Sequence, residues 1–457
     1  MTELGPRVVI AGTHSGVGKT TIATGLMAAL RSRGHSVASA KVGPDFIDPG
    51  YHSVATRRPG RNLDAWICGP ESMYALAGRA GRGADILVIE GVMGLFDGSV
   101  DPVADGRLAT GSTAELAMLL DAPVILVVDA SAMSASVAAL VNGFAHHHPA
   151  VHVHGVILNR VGSDVHEMLL RESLKQTGID VVGALRRDDA LTWRDRHLGL
   201  VPVAEQPQLV TSSVARLATL VAQSCDLDAI VAIARRAPNR DVGEPPMPAY
   251  IGPARIAVAG GAAFSFCYPD NLEALAAAGA EIVPFDPLHD AALPQHLDAV
   301  FVGGGFPEEH AAALAANVSL IADVRARIAT GLTVWAECGG LLWLSRALRD
   351  RDGVLHELVG AVPAEGVMTP RLTLGYRTGI VAAASPLGRA GLTLRGHEFH
   401  YSRLEPGGGA LALRSRFVQR DDGFASTRLI ATYLHVHLGA APQVAAAFVA
   451  ATLGTRQ

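Results

Sequence analysis

The first half of the chain alternates short runs of consecutive apolar residues with longer segments whose apolar residues recur at helical spacing. Continuous apolar runs are typical of parallel strands that are covered on both faces, because neither face has to be polar. The alternation therefore predicts a doubly wound α/β domain with a mostly parallel sheet. The predicted strands are residues 8–11, 37–41, 86–90, 124–129, 153–158 and 181–185, and the clearest helices are residues 20–33 and 113–120.

A second α/β series follows a proline-rich segment. Residues 237–248 contain four prolines and show no periodicity, which indicates a domain boundary. We therefore predict one domain at residues 1–237, a linker at 238–250 and a second domain at 251–457, whose final part is strand-rich. The predicted elements of the second series are strands at residues 255–259, 281–285, 299–302, 333–336 and 427–435, a helix at 271–278 and a short closing helix.

The composition fits two large globular domains. With 457 residues the chain is too long for one ordinary core, and 49% apolar against 18% charged residues argues against disorder. The net charge of −5 and the even spread of basic residues give no reason to expect nucleic acid as a partner. The longest apolar stretches are strand-length or broken by Gly, Asp and Pro, so we expect no membrane span.

Cysteine use and the N-terminus predict a cytoplasmic protein. The four cysteines lie far apart and none forms a C-x-x-C pair, so neither a disulfide framework nor a zinc site is expected. The first residues lack the basic and apolar regions of a signal peptide. The oligomeric state cannot be read from the sequence, and a homodimer stays open.

A glycine-rich turn between the first predicted strand and helix has the pattern of a phosphate-binding loop. Gly16 and Gly18 allow the tight turn that points consecutive backbone N–H groups at an anion. Lys19 would then reach the β- and γ-phosphates, and the hydroxyl of Thr20 would bind Mg²⁺. The sequence therefore predicts a site for ATP and Mg²⁺.

The loop departs from the strict G-x-x-x-x-G-K-[ST] pattern at its first position. Thr13 stands there, and the glycine comes one residue earlier, at Gly12. Asn159 and Arg160, at another strand end, could edge the adenine or serve a loop role. The residues predicted to bind ATP are Thr13, Gly16, Val17, Gly18, Lys19, Thr20 and Thr21.

Two further charged clusters follow predicted strands of the same domain. Ligands of open α/β sheets bind beyond the carboxyl ends of the strands, where these residues fall. Asp48 and Glu90 are the candidate Mg²⁺ ligands, together with Thr20. Lys41 is a candidate for neutralising phosphate or a substrate carboxylate. We expect Asp97, which precedes a glycine, to form a turn.

A second strand, turn and helix pattern carries a cysteine. Cys338 follows the predicted strand at 333–336 and precedes two glycines, an arrangement that exposes a nucleophile at the turn. The helix N-terminus would lower the pKa of its thiol and favour the thiolate. Cys68, Cys225 and Cys267 lack such a setting and are expected to be core residues.

Two other segments could complete a thiol site. The triple-glycine turn after the strand at 299–302 offers the backbone N–H groups of Gly304 and Gly305 as an oxyanion hole. Near the C-terminus, His435 is our choice of general base, with His437 as the alternative. Together with ATP use, such a site is typical of enzymes that split glutamine and deliver the ammonia to an activated acid.

Taken together, these motifs resemble those of the cobyrinic/hydrogenobyrinic acid a,c-diamide synthases of cobalamin biosynthesis, along nearly the whole chain. The N-terminal half is similar to the dethiobiotin-synthetase-like branch of P-loop proteins. The C-terminal half is similar to a class I glutamine amidotransferase domain of the cobyric acid synthase type. The resemblance rests on the P-loop and on the segments KVGPDFIDP (41–49), EGVMGLFD (90–97), GGGFPE (303–308), AECGG (336–340) and GHEFHYS (396–402).

The resemblance implies hydrolysis of glutamine at Cys338, with His435 as general base. Ammonia would pass to the ATP site, where a peripheral carboxylate of a corrin ring becomes an acyl phosphate, and two such cycles would amidate side chains a and c. Asp45 lies in a segment that the family places near the ring, so it is a candidate for substrate binding. Most class I amidotransferases carry a Glu two residues after the His. Here His437 takes that place, so the usual acid is absent.

Three alternatives stay open. The substrate could be a related tetrapyrrole such as nickel sirohydrochlorin, or amidation could fall on other corrin side chains. A ParA/MinD-like ATPase switch is less favoured, because His14 stands where that group has Lys and because that group has no glutaminase domain. A stand-alone glutaminase with a regulatory nucleotide domain is the third. The sequence does not disclose whether the ring carries cobalt, although a composition typical of GC-rich genomes favours the metal-free ring.

Overall fold

The chain folds into two compact units, residues 1–245 and 246–457. The structure, a computed structural model, describes residues 2–99, 106–187, 195–196, 199–439 and 441–454. The division between the units falls inside the predicted linker, residues 238–250. No helix in the described ranges is long and apolar enough to cross a lipid bilayer.

The first unit alternates strands and helices. Its strands are β1 (Thr2–Leu4), β2 (Arg7–Gly12), β3 (Val37–Val42), β4 (Arg61–Leu63), β5 (Ile86–Glu90), β6 (Val124–Asp129), β7 (Val153–Val161), β8 (Asp180–Arg186), β9 (Asp195–Arg196), β10 (Gly199–Leu200) and β11 (Arg240–Val242). Its helices are α1 (Lys19–Ser32), α2 (Asp48–Thr56), α3 (Ala65–Cys68), α4 (Met73–Gly81), α5 (Thr113–Leu119), α6 (Ser136–His146), α7 (Asp164–Leu174), α8 (Pro207–Ser224) and α9 (Leu227–Ala234).

A seven-stranded parallel sheet forms the centre of this unit, in the order β4-β3-β5-β2-β6-β7-β8. Every residue of β2, β3 and β5 is buried, as their continuous apolar character requires. All six strands predicted for this half are present, which confirms the doubly wound α/β prediction. Because β3, β5 and β2 are neighbours, the loops after their carboxyl ends meet at one edge of the sheet.

Outside this sheet, β11 pairs antiparallel with β1. This short strand lies inside the segment predicted as a linker, so part of that segment belongs to the first unit.

The second unit begins as an α/β series and ends rich in strands, as predicted. Its strands are β12 (Ala254–Ala259), β13 (Ala280–Phe285), β14 (Ala299–Val302), β15 (Thr333–Glu337), β16 (Ser345–Arg349), β17 (Leu355–Glu357), β18 (Val362–Val381), β19 (Thr393–Glu405), β20 (Leu411–Arg414), β21 (Gln419–Asp422), β22 (Phe424–Ala425), β23 (Leu429–Thr432) and β24 (His435–Val436). Its helices are α10 (Pro269–Ala277), α11 (Ala311–Ala316), α12 (Val318–Ala329), α13 (Gly339–Leu344) and α14 (Pro442–Leu453).

Two sheets build this unit. The first has the order β13-β12-β14-β15-β23-β22 and is parallel except at its edge strand β22. The second runs β17-β16-β18-β19-β24, with β20 joined to β18, and is organised around the long antiparallel pair β18–β19. Trp335 on β15 and Trp343 on α13 are the largest fully buried side chains, so the turn between these two elements is anchored in the core.

The prediction of one strand at residues 427–435 is wrong. The segment forms two strands: β23 pairs with β15 in the first sheet, and β24 pairs with β19 in the second. The chain leaves one sheet for the other at Tyr433, whose backbone N–H donates to the carboxylate of Asp422 at 2.9 Å. This change of sheet brings His435 to the junction between the two layers.

Candidate active sites

The phosphate loop of the first unit follows β2 and runs into α1. Gly16 and Gly18 adopt φ angles of 80° and 95°, which glycine reaches without strain. Asn159 donates to the carbonyl of Val17 at 2.7 Å, and Arg160 donates to the carbonyl of Gly16 at 2.9 Å. Asn159 and Arg160 therefore stabilise the phosphate loop, because their side chains bind two of its carbonyl oxygens. With these carbonyl groups occupied, the N–H groups of the loop can face an anion.

The space around Gly12 explains why a glycine stands one residue before the first position of the motif. A β carbon on Gly12 would lie 2.6 Å from Cγ2 of Val17 and 3.0 Å from Cδ of Lys19. The loop thus folds back over this position so closely that a larger residue would displace it. The backbone N–H of Thr13 bonds to the carbonyl of Val127 at 3.3 Å. That group is engaged with β6, so a contact of Thr13 with ATP would have to come from its side chain.

Lys19, Thr20 and Thr21 form the first turn of α1. Lys19 is buried, and its ammonium donates to the carbonyl groups of His14 and Met93. Burial and the neighbouring charge of Lys41 lower the pKa of Lys19 to about 8. The ammonium is therefore held on loop carbonyls at the mouth of the loop, where phosphate oxygens would be stronger partners.

A compact charge cluster lies behind the loop. The hydroxyl of Thr20 is 2.6 Å from Oε1 of Glu90 and 3.4 Å from Oδ2 of Asp48. The ammonium of Lys41 is 2.6 Å from Asp48 and 2.8 Å from Glu90. Burial opposes ionisation of Glu90, but Lys41 and His52 outweigh it and lower its pKa. Burial and two neighbouring carboxylates raise the pKa of Asp48 well above its usual range.

The oxygen atoms of this cluster are suited to Mg²⁺, which binds one or two protein carboxylates together with phosphate oxygens and water. Thr20, Asp48 and Glu90 supply one hydroxyl and two carboxylates within hydrogen-bonding distance of one another. Among the described residues, no group of three or more His, Cys, Asp or Glu side chains could hold a metal by itself. Phosphate oxygens of ATP and water would complete the coordination that Thr20, Asp48 and Glu90 could begin.

His52 is a member of this cluster that the sequence did not reveal. Its Nε2 lies 2.6 Å from Oε2 of Glu90, and both side chains are fully buried. The signal was weak but present: His52 follows Asp48 by one helical turn on α2, so both residues project from one face. His52 binds Oε2 of Glu90, and Oε1 of the same carboxylate contacts the hydroxyl of Thr20.

The ammonium of Lys41 contacts Asp48, Glu90 and the carbonyl of Gly91, so in this structure it neutralises carboxylates of the protein. Its role toward phosphate or a substrate carboxylate stays a prediction. Asp45 is half-buried, and its Oδ1 accepts from the backbone N–H groups at the start of α2. It therefore acts as a helix cap, and its other oxygen is the one that could meet a ligand.

The prediction that Asp97 forms a turn is confirmed. Its carboxylate accepts from the backbone N–H of Gly94 at 2.8 Å, and the N–H of Asp97 returns to the carbonyl of Gly94.

In the second unit, Cys338 lies on the turn between β15 and α13. Its φ of 47° is a strained conformation for a residue with a β carbon, as expected of a nucleophile on a sharp strand-to-helix turn. The two following residues must be glycines because neither position has room for a β carbon. A β carbon on Gly339 would lie 2.9 Å from Pro307, and one on Gly340 would lie 2.3 Å from the carbonyl oxygen of Val302.

The expected low pKa of this thiol is wrong. Burial raises the pKa of Cys338 well above its usual value, and the negative charge of Glu308 adds to the effect. The backbone N–H of Gly339 acts in the opposite direction but is weaker. The short helix α13 therefore does not produce a thiolate in the free protein, and a base is needed to take the thiol proton.

The two candidate bases lie in different surroundings. Nδ1 of His435 is 3.4 Å from Oε2 of Glu337, the residue before the cysteine. A β carbon on Gly304 would meet Cε1 of the same ring at 2.5 Å. His437 instead lies 4.0 Å from Asp270 and contacts the ring of Tyr268. Only His435 of the pair adjoins both the cysteine turn and the glycine turn.

Gly304 is not available as an oxyanion donor in this structure. Its backbone N–H is bonded to the carbonyl of Phe266 at 3.1 Å. The backbone nitrogen of Gly305 lies beside the cysteine turn, because a β carbon on Gly339 would be 3.0 Å from it. Gly305 therefore stays a candidate donor, and the N–H of Gly339, which acts on the thiol of Cys338, is a second candidate. Gly304 serves another purpose, which is to leave room for the ring of His435.

A cavity of about 270 Å³ opens in the second unit beside Tyr433, whose ring stacks on His400 and lies near enough to Cys338 for their charges to interact. Beneath it, Glu398 is fully buried and binds Arg377, Arg420 and His400. The polar side chains that line the cavity are Thr373, His400, Ser402, Arg403, Arg420, Asp421, Asp422 and Tyr433. The cavity is thus polar and offers both charge signs.

Comparison with known proteins agrees with this geometry. Residues 8–201 match the CobQ/CobB/MinD/ParA nucleotide binding domain, and residues 255–443 match the CobB/CobQ-like glutamine amidotransferase domain. The chain is 48% identical to the hydrogenobyrinate a,c-diamide synthase of Streptomyces coelicolor over 97% of both chains. It is 44% identical to the cobyrinate a,c-diamide synthase of Syntrophotalea carbinolica, over 97% of this chain and 98% of that one.

A third relative, the hydrogenobyrinate a,c-diamide synthase of Mycobacterium bovis, is 44% identical over 97% of both chains. The matches run through both units, so neither unit is an addition to an unrelated protein. A nucleotide-binding domain followed by a glutamine amidotransferase domain makes this protein a glutamine-dependent amidating ligase. The chain belongs to the family of hydrogenobyrinate and cobyrinate a,c-diamide synthases.

Proposed function

We propose that this protein amidates the a and c side-chain carboxylates of hydrogenobyrinic acid, or of its cobalt-bearing counterpart cobyrinic acid, with ammonia from glutamine and energy from ATP. The observation that carries the proposal is near-complete coverage at 48% and 44% identity with synthases named for these rings. The presence of a phosphate loop and a cysteine turn in one chain supports the same reaction.

Glutamine hydrolysis would take place at Cys338. Because the buried thiol is protonated, His435 would accept its proton as the sulfur attacks the amide carbon of glutamine. The backbone N–H groups of Gly305 and Gly339 would stabilise the negative oxygen of the tetrahedral intermediate. Collapse gives a thioester and releases ammonia, which takes the proton from His435. Water then hydrolyses the thioester to glutamate.

Activation of the ring carboxylate would take place at the phosphate loop. A carboxylate is a poor acyl donor until one of its oxygens becomes a phosphate leaving group, which is why ATP is required. Lys19 would exchange its loop carbonyls for phosphate oxygens, and the hydroxyl of Thr20 would turn from Glu90 toward the nucleotide. Mg²⁺, held by Thr20, Asp48 and Glu90, would neutralise the phosphate charge.

Ammonia would then attack the acyl phosphate to give the amide and phosphate, once at side chain a and once at side chain c. Asp45 is proposed to face the ring with the oxygen that does not cap α2. A homodimer and a cytoplasmic location fit this reaction but are not required by it.

The deciding experiment offers the purified protein glutamine, Mg-ATP and either hydrogenobyrinic or cobyrinic acid, and follows the diamide by mass spectrometry. We expect two additions of an amide, one ATP consumed per amide, and a higher kcat/KM for one of the two rings. Failure to amidate either ring would overturn the proposal. Nickel sirohydrochlorin serves as the competing substrate for the related-tetrapyrrole alternative.

The division of labour predicts the behaviour of a Cys338→Ala variant. Its glutamine-dependent amidation should fall by at least 10³-fold, on the order of what loss of a nucleophile costs, whereas amidation from ammonium chloride should stay at the wild-type rate. Cys225→Ala, which removes a buried thiol of the first unit, is the matched control. If ammonium cannot support amidation by Cys338→Ala, the two reactions are not separable in the way proposed.

A further inference from the structure

His435, the proposed base, needs a partner that orients its ring. A catalytic imidazole works in one orientation and one tautomer, and a carboxylate bonded to its other nitrogen usually fixes both. In this chain the position two residues after His435 holds His437, which cannot accept the role of a carboxylate. Another group must hold the ring.

Glu337 occupies the required position. It is the last residue of β15, immediately before Cys338, and its side chain is 2% exposed. Its Oε2 lies 3.4 Å from Nδ1 of His435, and its Oε1 accepts from the backbone N–H of Val436 at 3.2 Å. One buried carboxylate thus contacts β24 twice, at the backbone and at the imidazole.

The remaining sides of the His435 ring are also constrained. The ring of His397, the partner of His435 across the β19–β24 pair, stacks on it at 4.9 Å and 21°. The Cε1 edge faces Gly304, where a β carbon would come within 2.5 Å. With Nδ1 toward Glu337, the opposite nitrogen Nε2 is the one left to serve the thiol.

Other buried carboxylates of this unit are engaged elsewhere. Asp270 lies by His437 at 4.0 Å, and Glu398 is bound by Arg377, Arg420 and His400. Asp422 pairs with Arg420 and accepts from the backbone N–H of Tyr433. The titratable groups that face Glu337 are His435 on β24, Cys267 before α10 and Cys338 on the cysteine turn. Among these, His435 is the one that gains by donating to a carboxylate.

We infer that Glu337 is the positioning residue of this site and takes the place of the acid that other class I amidotransferases carry two residues after the histidine. The inference rests on the proposed roles of Cys338 and His435 in glutamine hydrolysis. The acid and the nucleophile are then neighbours in the chain, and they would serve the two nitrogens of one imidazole.

In the hydrolytic step, Nε2 of His435 takes the proton from Sγ as the sulfur–carbon bond forms. Nδ1, 3.4 Å from Oε2 of Glu337, keeps its proton and would donate it to that oxygen as the imidazolium forms. The negative charge of Glu337 stabilises the imidazolium. When the carbon–nitrogen bond of the amide breaks, Nε2 returns its proton to the leaving ammonia. Glu337 is neither protonated nor consumed, so the step balances without another reactant.

The test compares Glu337→Gln with the wild type in the full-length protein, by glutamate release and by amidation from ammonium chloride. We expect the kcat for glutamate release to fall by on the order of 10²- to 10⁴-fold, because an amide can present its N–H and select the wrong tautomer. The KM for glutamine and the ammonium-dependent rate should be unchanged. An unchanged kcat for glutamate release would overturn the inference.

A pH profile separates positioning from packing. Burial raises the pKa of Glu337, so its carboxylate is lost at a higher pH than that of an exposed Glu. In the wild type, kcat for glutamate release should decline as the pH falls through that raised pKa, because the ionised form is the active one. Glu337→Gln has no carboxylate at this position, so the part of the decline that comes from Glu337 should be missing from its residual rate. A decline of the same size in both proteins would contradict the inference.

Two further variants keep the test decisive if Glu337→Gln folds poorly. Glu337→Asp keeps the charge at a longer distance and should give a kcat between those of the wild type and Glu337→Gln. Asp270→Asn, which removes the buried carboxylate beside the other histidine, should retain the wild-type kcat. Loss of glutamate release in Asp270→Asn but not in Glu337→Asp would assign the working pair to Asp270 and His437.

A double-mutant cycle supplies the last check. If Glu337 acts through His435, Glu337→Gln should cause no further loss in a His435→Asn background, since coupled residues are not additive. Additive losses would place Glu337 outside the catalytic pair. Glutamate release is measured here without a ring substrate, so failure of the proposed ring amidation stays distinguishable from failure of this inference.

Discussion

At the scale of single residues, space and burial decide roles that residue type leaves open. The sequence predicted that the N–H groups of the triple-glycine turn act as oxyanion donors, yet the N–H of Gly304 donates to the carbonyl of Phe266. Its missing side chain is what matters, because the ring of His435 occupies that space. Likewise the thiol of Cys338 sits at a helix start, but burial outweighs the short helix and keeps it protonated.

Replacement of Gly304 by alanine tests the steric role. The φ of Gly304 lies outside the left-handed region, so the substitution adds a methyl group without adding backbone strain. That methyl would overlap the ring of His435 and move it away from its place. We expect Gly304→Ala to cost about 1–3 kcal/mol of unfolding free energy, the usual cost of overpacking, and to abolish glutamate release while amidation from ammonium chloride persists.

Gly409→Ala is the matched control for this experiment, because it lies in the same unit, has no neighbour within 4 Å of an added β carbon and is exposed. Its rates should equal those of the wild type. Wild-type glutamate release by Gly304→Ala would show that His435 does not work in its observed position.

Most residues of the two candidate sites could be predicted from the sequence. Cys338, His435, Lys19, Thr20, Asp48 and Glu90 were all named from motif and strand-end position, and the structure brings them together in two groups, one in each unit. Glu337 and His52 were not named, since each acts through a contact made between segments far apart in the chain.

At the scale of elements, the strands of the parallel sheets were predicted well and the crossing between sheets was not. A strand covered on both faces is a continuous apolar run, which identifies it without any knowledge of its neighbours. The segment 427–435 looks like one such run, but residues 429–432 and 435–436 pair in different sheets. The change of partner at Tyr433 depends on Asp422, and no local pattern announces it.

Helix packing in the first unit gives a prediction at this scale. Gly25 lies in the middle of α1, where a β carbon would be 2.6 Å from Val221 and 3.1 Å from the carbonyl oxygen of Leu217 on α8. Gly143 lies in the middle of α6, with nothing within 4 Å of an added β carbon. The two glycines have the same helical conformation and differ in the space around them.

The alanine variants at these positions should therefore have opposite effects on stability. Gly143→Ala should gain about 0.5–1 kcal/mol, because alanine restricts the unfolded chain. Gly25→Ala restricts the unfolded chain in the same way, but its methyl group would force α1 away from α8, which costs about 1–3 kcal/mol of unfolding free energy. We therefore expect Gly25→Ala to be destabilised. Denaturant melts of both variants, followed by circular dichroism, measure the difference. Equal stabilisation by both would mean that α1 and α8 are not in close contact.

At the scale of the whole molecule, each unit holds one of the two candidate sites. The first has the buried ammonium of Lys19 and the oxygen cluster behind it, and the second has the cysteine turn and its histidine. Each of the two proposed reactions would have its own substrates and its own residues. Damage to the first unit should therefore stop amidation whatever the nitrogen source, whereas damage to the second should stop only the use of glutamine.

Lys19→Met is the variant that tests this asymmetry. The chain has three lysines, and Lys175 is the suitable control because it is exposed and pairs with Glu172 on the surface. Lys19→Met removes the charge expected on the transferred phosphate, so amidation from glutamine and from ammonium chloride should both fall by on the order of 10²- to 10³-fold, the usual effect of losing one group that stabilises developing charge. Lys175→Met should show wild-type rates.

The nitrogen source makes the result interpretable. If amidation by Lys19→Met falls equally with glutamine and with ammonium, the lost step is activation of the carboxylate, because that step is common to both. If only the glutamine-dependent rate falls, Lys19 acts on ammonia supply, and the assignment of activation to the first unit is wrong. A fluorescent ATP analogue separates binding from chemistry: we expect weaker binding to Lys19→Met, because the variant lacks the ammonium that lies at the phosphate loop.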